Sequence, residues 1–242
     1  MPFDTQVFLN TLTSTSLAQG AVITVTLTVV SFVLGLAIGM IVAILRDHRW
    51  RAVRYLAWTY VWIFRAIPTL LQLLFVWNAL PRMFPIFAGT WFTPFIAATI
   101  ALSLNEGAYA AEVVRGGLLS IDDGQKLAAR ALGLSPWRTF RRIIAPQLMR
   151  VITPPMSNDF ITMLKITSLA SVLSLRELLT NGGLITSSTF KFAEVYVAVA
   201  IWYLVIVSIF MAIQAWIEKR YVWTSRKTAT TGQSKLRTGV MR

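Results

Sequence analysis

Cysteine is absent from the chain and histidine occurs once, as His48. A disulfide framework and a thiolate metal site are therefore excluded, and a His-rich metal site with them. No G-x-x-x-x-G-K phosphate loop occurs, and no Ser/His/Asp or Cys/His set that would support nucleophilic catalysis. The first 19 residues hold no Lys or Arg, so they lack the charged start of a secretory signal peptide. Acids are scarce, 10 against 23 basic residues, and charged residues of both signs make up only 14% of the 242 positions.

What fills the chain instead is apolar. Hydrophobic residues account for 56% of it, with a mean hydropathy of +0.63. That is more than a soluble domain needs for its core, so the excess faces something other than water. Long runs almost free of charge alternate with basic clusters. A bilayer core takes roughly 20 apolar residues per helix, and the runs predict an all-α integral membrane protein with five transmembrane helices. The expected spans are 20–45, 55–80, 91–111, 143–166 and 195–217. In the first, Gly35 and Gly39 form a G-x-x-x-G pair suited to close helix packing. In the fourth, Pro154 and Pro155 predict a kink or break.

The net charge of +13 invites a nucleic-acid reading, which the positions of the charges exclude. Seventeen Lys and Arg fall between spans one and two, between three and four, and after span five; only Arg82, Arg176 and Lys191 fall on the other side. Basic loops stay cytoplasmic, which puts the N-terminus outside and the C-terminus inside. The basic clusters then serve topology and lipid headgroups. Residues 1–223 form one transmembrane domain. The stretch 224–242, rich in Thr, Ser, Lys and Arg, reads as a flexible basic cytoplasmic tail.

The segment 112–147 is too long for a plain connection. Gln125 to Leu132 are strong helix formers, Asp122 and Asp123 suit the start of a helix, and Gly133 suits its stop. Ser135-Pro136 opens the next helix. A short helix with small residues and a basic rim either docks on a soluble partner or lies on lipid; both readings are open from these residues alone.

Motifs in order along the chain narrow the choice. Ala128, Ala129, Gly133, Ile143 and Pro146 resemble the EAA loop of bacterial ABC importer permeases, with Leu127 where that pattern has Glu and Ala145 where it has Leu. Phe64-Arg65-Ala66-Ile67-Pro68, Ala108-Tyr109-Ala110-Ala111-Glu112, Pro154-Pro155-Met156-Ser157-Asn158, Lys165-Ile166-Thr167-Ser168-Leu169 and Thr189-Phe190 followed by Glu194 resemble motifs of the polar amino-acid branch. The resemblance covers about residues 17–221. It implies the type I importer core, two permease subunits (identical or different), a dimer of ABC ATPases, and an extracytoplasmic substrate-binding protein. It implies a bacterial inner-membrane location. It also implies that ATP and Mg are bound by the ATPase and that this chain carries no cofactor. Lys126, Leu127, Ala128, Ala129, Arg130 and Gly133 would then couple to the ATPase, the small residues Ala128, Ala129 and Gly133 permitting close docking.

Ionisable residues inside a membrane mark functional sites by default. Asn105, Asp159, Lys165 and Ile166 are the candidates for substrate binding. In cationic-substrate relatives the resemblance places an acid at the Asp159 position, for the α-ammonium, and a second at the Ile166 position. This chain keeps only the first, which points away from a strictly cationic substrate. Asp159 has a structural alternative, pairing with a base on another helix. Arg65 and Lys165 are expected to reach for the outer interface, and Glu112 to pair with Arg115 at i,i+3. An ion-coupled transporter or channel subunit is the competing function, but no inverted repeat is visible.

Overall fold

The computed structural model describes residues 3–222, and every secondary element among them is helical. Eleven α-helices follow one another: α1 Thr5–Leu12, α2 Thr15–Leu45, α3 Arg51–Ala66, α4 Thr69–Leu74, α5 Leu80–Met83, α6 Pro94–Leu119, α7 Asp123–Ala131, α8 Pro136–Thr139, α9 Ala145–Ile166, α10 Leu178–Thr189 and α11 Phe192–Val222. The expected tail, 224–242, lies outside the described residues.

Helices α2 and α11 are long and apolar enough to cross a membrane. A third span exists if α3 and the following Thr69–Met83 helix, bent by 106°, count as one. Helices α6 and α9 are as long as a bilayer requires, about 1.5 Å per residue over 26 and 22 residues, but they carry the polar residues of the interior.

The core is organised around the packing of α2 on α6, the most extensive helix contact in the chain. On α2 the buried stripe runs Leu17, Gly20, Thr24, Leu27, Ser31, Gly35, Gly39 and Val42, a three-to-four-residue repeat in which small side chains predominate. The G-x-x-x-G pair does what its spacing promises. A Cβ at Gly35 would stand 2.6 Å from Cβ and Cγ of Glu106, and one at Gly39 would stand 2.5 Å from Cβ of Ala110. Only glycine lets the backbones approach that closely.

Two chain breaks depart from expectation. Helix α9 runs through Pro154-Pro155 without interruption. The break falls at Ile67-Pro68, because a residue before proline is pushed to extended backbone, and Ile67 sits at φ −85°, ψ 131°. Past it the chain resumes helically, with a π-turn at Phe75–Ala79 joining α4 to α5. The basic segment also differs from a loop over 112–147. Helix α6 continues to Leu119, so Glu112 to Gly117 are helical, and α8 feeds α9 through a second π-turn at Phe140–Ile144. Helices α1 and α10 were not expected. Helix α10 is anchored by Glu177, whose buried carboxylate accepts from the N–H groups of Leu179 (2.8 Å) and Thr180 (2.6 Å) and from the Tyr203 hydroxyl (3.1 Å).

Candidate substrate cavity and coupling helix

The break at Ile67-Pro68 leaves carbonyls without helical partners. In lipid these must be satisfied within the protein. The Gln72 amide does so, donating to the carbonyls of Phe64 (2.9 Å) and Ile67 (2.8 Å). Asn105 on α6 adds a bond to the Phe64 carbonyl at 3.1 Å and another to Oε1 of Gln72 at 3.3 Å. Its amide donors are thereby committed to holding the bend.

Beside this bend lies a cavity of about 170 Å³. Helix α9 contributes Asp159, Thr162, Met163 and Ile166, spaced i, i+3, i+4 and i+7, hence on one face. Helix α6 contributes Leu102, Asn105, Glu106 and Tyr109 by the same periodicity, and Thr69 closes the wall from α4. Three of the four expected residues, Asn105, Asp159 and Ile166, are thus brought together. Lys165 is not among the lining residues and is exposed. At about 100° per residue it points roughly 120° away from Asp159.

Glu106 is the residue that sequence reasoning missed. It is 5% exposed, its Oε1 has no hydrogen-bond partner, and it lines the same cavity as Asp159. The signal was present: an acid next to Asn105 inside a predicted span falls under the same rule that singled out Asp159. The number of cavity acids, on which the expectation against a strictly cationic substrate rested, is two rather than one.

The ion pairs also differ. Glu112 pairs with Arg46, the residue just past the end of α2, and lies 3.6 Å from Arg65; its ion pairs are not with Arg115. The Arg65 side chain, nearly half exposed, leans on α6. Its guanidinium sits 5.4 Å from the centre of the Tyr109 ring, a cation–π contact on a residue of the cavity wall. The reason is the break two residues on, which ends α3 against α6 instead of carrying Arg65 onward along a straight span.

Helix α7 has the predicted caps. Asp122 accepts from the Gly124 N–H at 2.7 Å. At the other end Gly133 takes φ +73°, its N–H donates to the Arg130 carbonyl (2.9 Å), and the Leu134 N–H donates to the Ala129 carbonyl (3.0 Å). This is a Schellman stop, which needs a left-handed residue at Gly133. Lys126 bonds Asp123 at 2.9 Å and holds that carboxyl below its ordinary range. Ala128 and Arg130 are exposed, and Leu127, Leu132 and Trp137 are 64%, 79% and 68% exposed. Ala129 departs from expectation: it is 1% exposed and turned into its own chain.

A helical chain with long apolar helices, a cavity holding two acids between α4, α6 and α9, and a short capped helix with an exposed leucine has the construction of a type I ABC permease. Comparison with known proteins agrees. The family described as binding-protein-dependent transport system inner membrane component matches residues 35–223. The chain is 38% identical over 229 residues to the arginine transport system permease protein ArgU of Corynebacterium glutamicum, covering 90% of this chain and 72% of that one. It is 35% identical over 204 residues to the glutamine transport system permease protein GlnP of Escherichia coli, covering 84% and 92%. A crystal structure of an amino acid ABC transporter with histidines superposes at a TM-score of 0.80 and 31% identity, over 91% of this chain and 100% of that one. The chain belongs to the binding-protein-dependent transport system inner membrane component family. It is a permease subunit of an amino-acid ABC transporter, a transport component and not an enzyme. The ion-coupled alternative finds no support in these relatives.

Proposed function

We propose that this subunit passes a polar amino acid through the cavity between α6 and α9, in a bacterial cytoplasmic membrane that it crosses five times with the N-terminus outside. The cavity itself is the observation that carries this reading: an amino-acid-sized space with Asp159 in its wall, beside a helix break held open by Gln72 and Asn105. Asp159 meets the α-ammonium of the substrate, and the hydroxyls of Thr69 and Tyr109 offer donors to its carboxylate. Asn105 positions the bend, and Ile166 supplies apolar contact.

The subunit works in a pair with a second permease subunit. Residues 1–223 are the transmembrane unit. Helix α7 docks in an ABC ATPase, which binds ATP and Mg, and an external binding protein delivers the substrate. The exposed Leu127, Leu132 and Trp137 support docking, since apolar side chains of that size gain from being covered. Because Leu127 replaces an acid of the usual loop pattern, this contact is more apolar than the pattern predicts. Closure of the ATPases on ATP pulls on α7 and so on α6 and α8–α9, the helices on either side of it in the chain and the walls of the cavity. The test is uptake of labelled amino acids into proteoliposomes holding the assembled transporter, with its binding protein and internal ATP. ATP-dependent accumulation is expected. Uptake driven by an ion gradient without ATP would refute it.

A further inference from the structure

We propose that Glu106 is a specificity-determining residue of this cavity, and that Glu106 and Asp159 together select an amino acid bearing a second cation, a side-chain ammonium or guanidinium. The inference rests on the permease reading and adds to it the substrate class.

Glu106 is buried, and its Oε1 finds no donor among the described residues. It takes part in none of the ion pairs found among them. Arg46 and Arg65 both turn to Glu112 and not to Glu106. The position is not an accident of a loose helix. Gly35 makes room for the Glu106 stem, since any Cβ at residue 35 would collide with its Cβ and Cγ. Held in a medium of low dielectric with no ion-pair partner among the described residues, this carboxyl ionises at least cost when a cation comes to it from elsewhere. Asp159 faces the same space from α9. An amino acid with a neutral side chain brings one ammonium and leaves one of the two acids unmatched. One with a cationic side chain brings two cations for two acids, and the hydroxyls of Thr69 and Tyr109 remain for its carboxylate. The apolar wall at Ile166 and Met163 suits the methylenes between the charges. Position 166 therefore need not be acidic for a cation to be recognised, because the second acid comes from the facing helix.

The experiment measures ATP-driven uptake by the reconstituted transporter of arginine against citrulline and of lysine against glutamine. It is run for the native chain and for the Glu106→Gln and Glu106→Asp variants with one binding protein throughout. The native chain is expected to prefer the cationic member of at least one pair. Glu106→Gln should lower that preference by about ten-fold or more, because a buried group built for one partner rejects the analogue lacking it; Glu106→Asp should restore part of it. Thermal shift of the purified complex by arginine but not citrulline, lost in Glu106→Gln, is the companion readout if uptake by that variant is too low to rank. A native chain that carries only the neutral members would overturn the proposal, as would a preference unchanged by Glu106→Gln. Failure to take up any amino acid with ATP would instead overturn the permease reading.

Discussion

Replacing Gly39 with alanine adds one methyl group at the tightest point of the α2–α6 contact. The new Cβ would stand 2.5 Å from Cβ of Ala110 and 3.0 Å from two backbone atoms, N of Ala111 and O of Gly107. Carbon atoms pack at about 3.5–4.0 Å, so the deficit is about 1 Å, and backbone atoms cannot swing aside as a side-chain end can. Overpacking of this kind costs about 1–3 kcal/mol, and the rigid neighbours put this case in the upper half of that range. Alanine gains about 1 kcal/mol over glycine in a helix, leaving a net loss of about 1–2 kcal/mol. For a chain of this size that lowers Tm by about 2–8 °C. Gly116 on α6 is the control. It is exposed and a Cβ there meets nothing within 4 Å, so Gly116→Ala keeps only the propensity gain and should raise Tm by about 2–4 °C. The assay is thermal unfolding of the purified complex followed by circular dichroism. If Gly39→Ala proved as stable as Gly116→Ala, the close approach of α2 and α6 would not be what these glycines serve.

Three further outcomes are expected. Glu112→Gln leaves Arg46, whose side chain is 11% exposed, without a counter-charge; Glu112 is itself a third exposed, so the cost falls below that of a fully buried pair, at about 1–3 kcal/mol. Arg115→Gln should leave this pairing intact, and equal Tm losses in the two variants would contradict the assignment. Ala128→Trp should reduce ATPase association in co-purification while the permease stays folded, because the site is exposed; Ala129→Trp should lower Tm instead, being packed inside. Asp4 caps α1, and the Val7 N–H, followed by Lys191, holds its carboxyl below the ordinary range. Its contribution is thus complete above the unfolded carboxyl range, and lost as pH falls through the lower folded value. An acid-induced loosening of α1, read by proteolysis, should shrink in Asp4→Asn, the remainder coming from Glu194, whose carboxylate accepts from the backbone N–H of residue 4 at 2.9 Å.

The long helices, the glycine seam and the caps of α7 were legible because they depend on neighbours three or four residues away. Hydropathy marks where a helix lies in lipid, G-x-x-x-G marks where another can approach, and Asp122 and Gly133 mark a start and a stop by their own backbone chemistry. The family was legible for the same reason, since its motifs are short and ordered along the chain. The cavity was legible in part. Asp159 and Ile166 share a face by spacing alone, whereas Lys165 was included for its charge although its place on the helix turns it away.

What only the tertiary structure decided is which residues meet across helices. Glu112 had an arginine three residues on, yet it binds Arg46, sixty-six residues earlier, because α2 lies against α6 along their small-residue faces. Arg65 turns to Tyr109 because the chain bends at Pro68 and not at the double proline. Ala129 is covered by its own chain, and Glu106 faces Asp159 across a space that neither helix encloses alone. Local sequence sets what each helix can do; the crossing of helices, through sterics and the cost of an unmatched charge in lipid, sets which of those capacities are joined in one site.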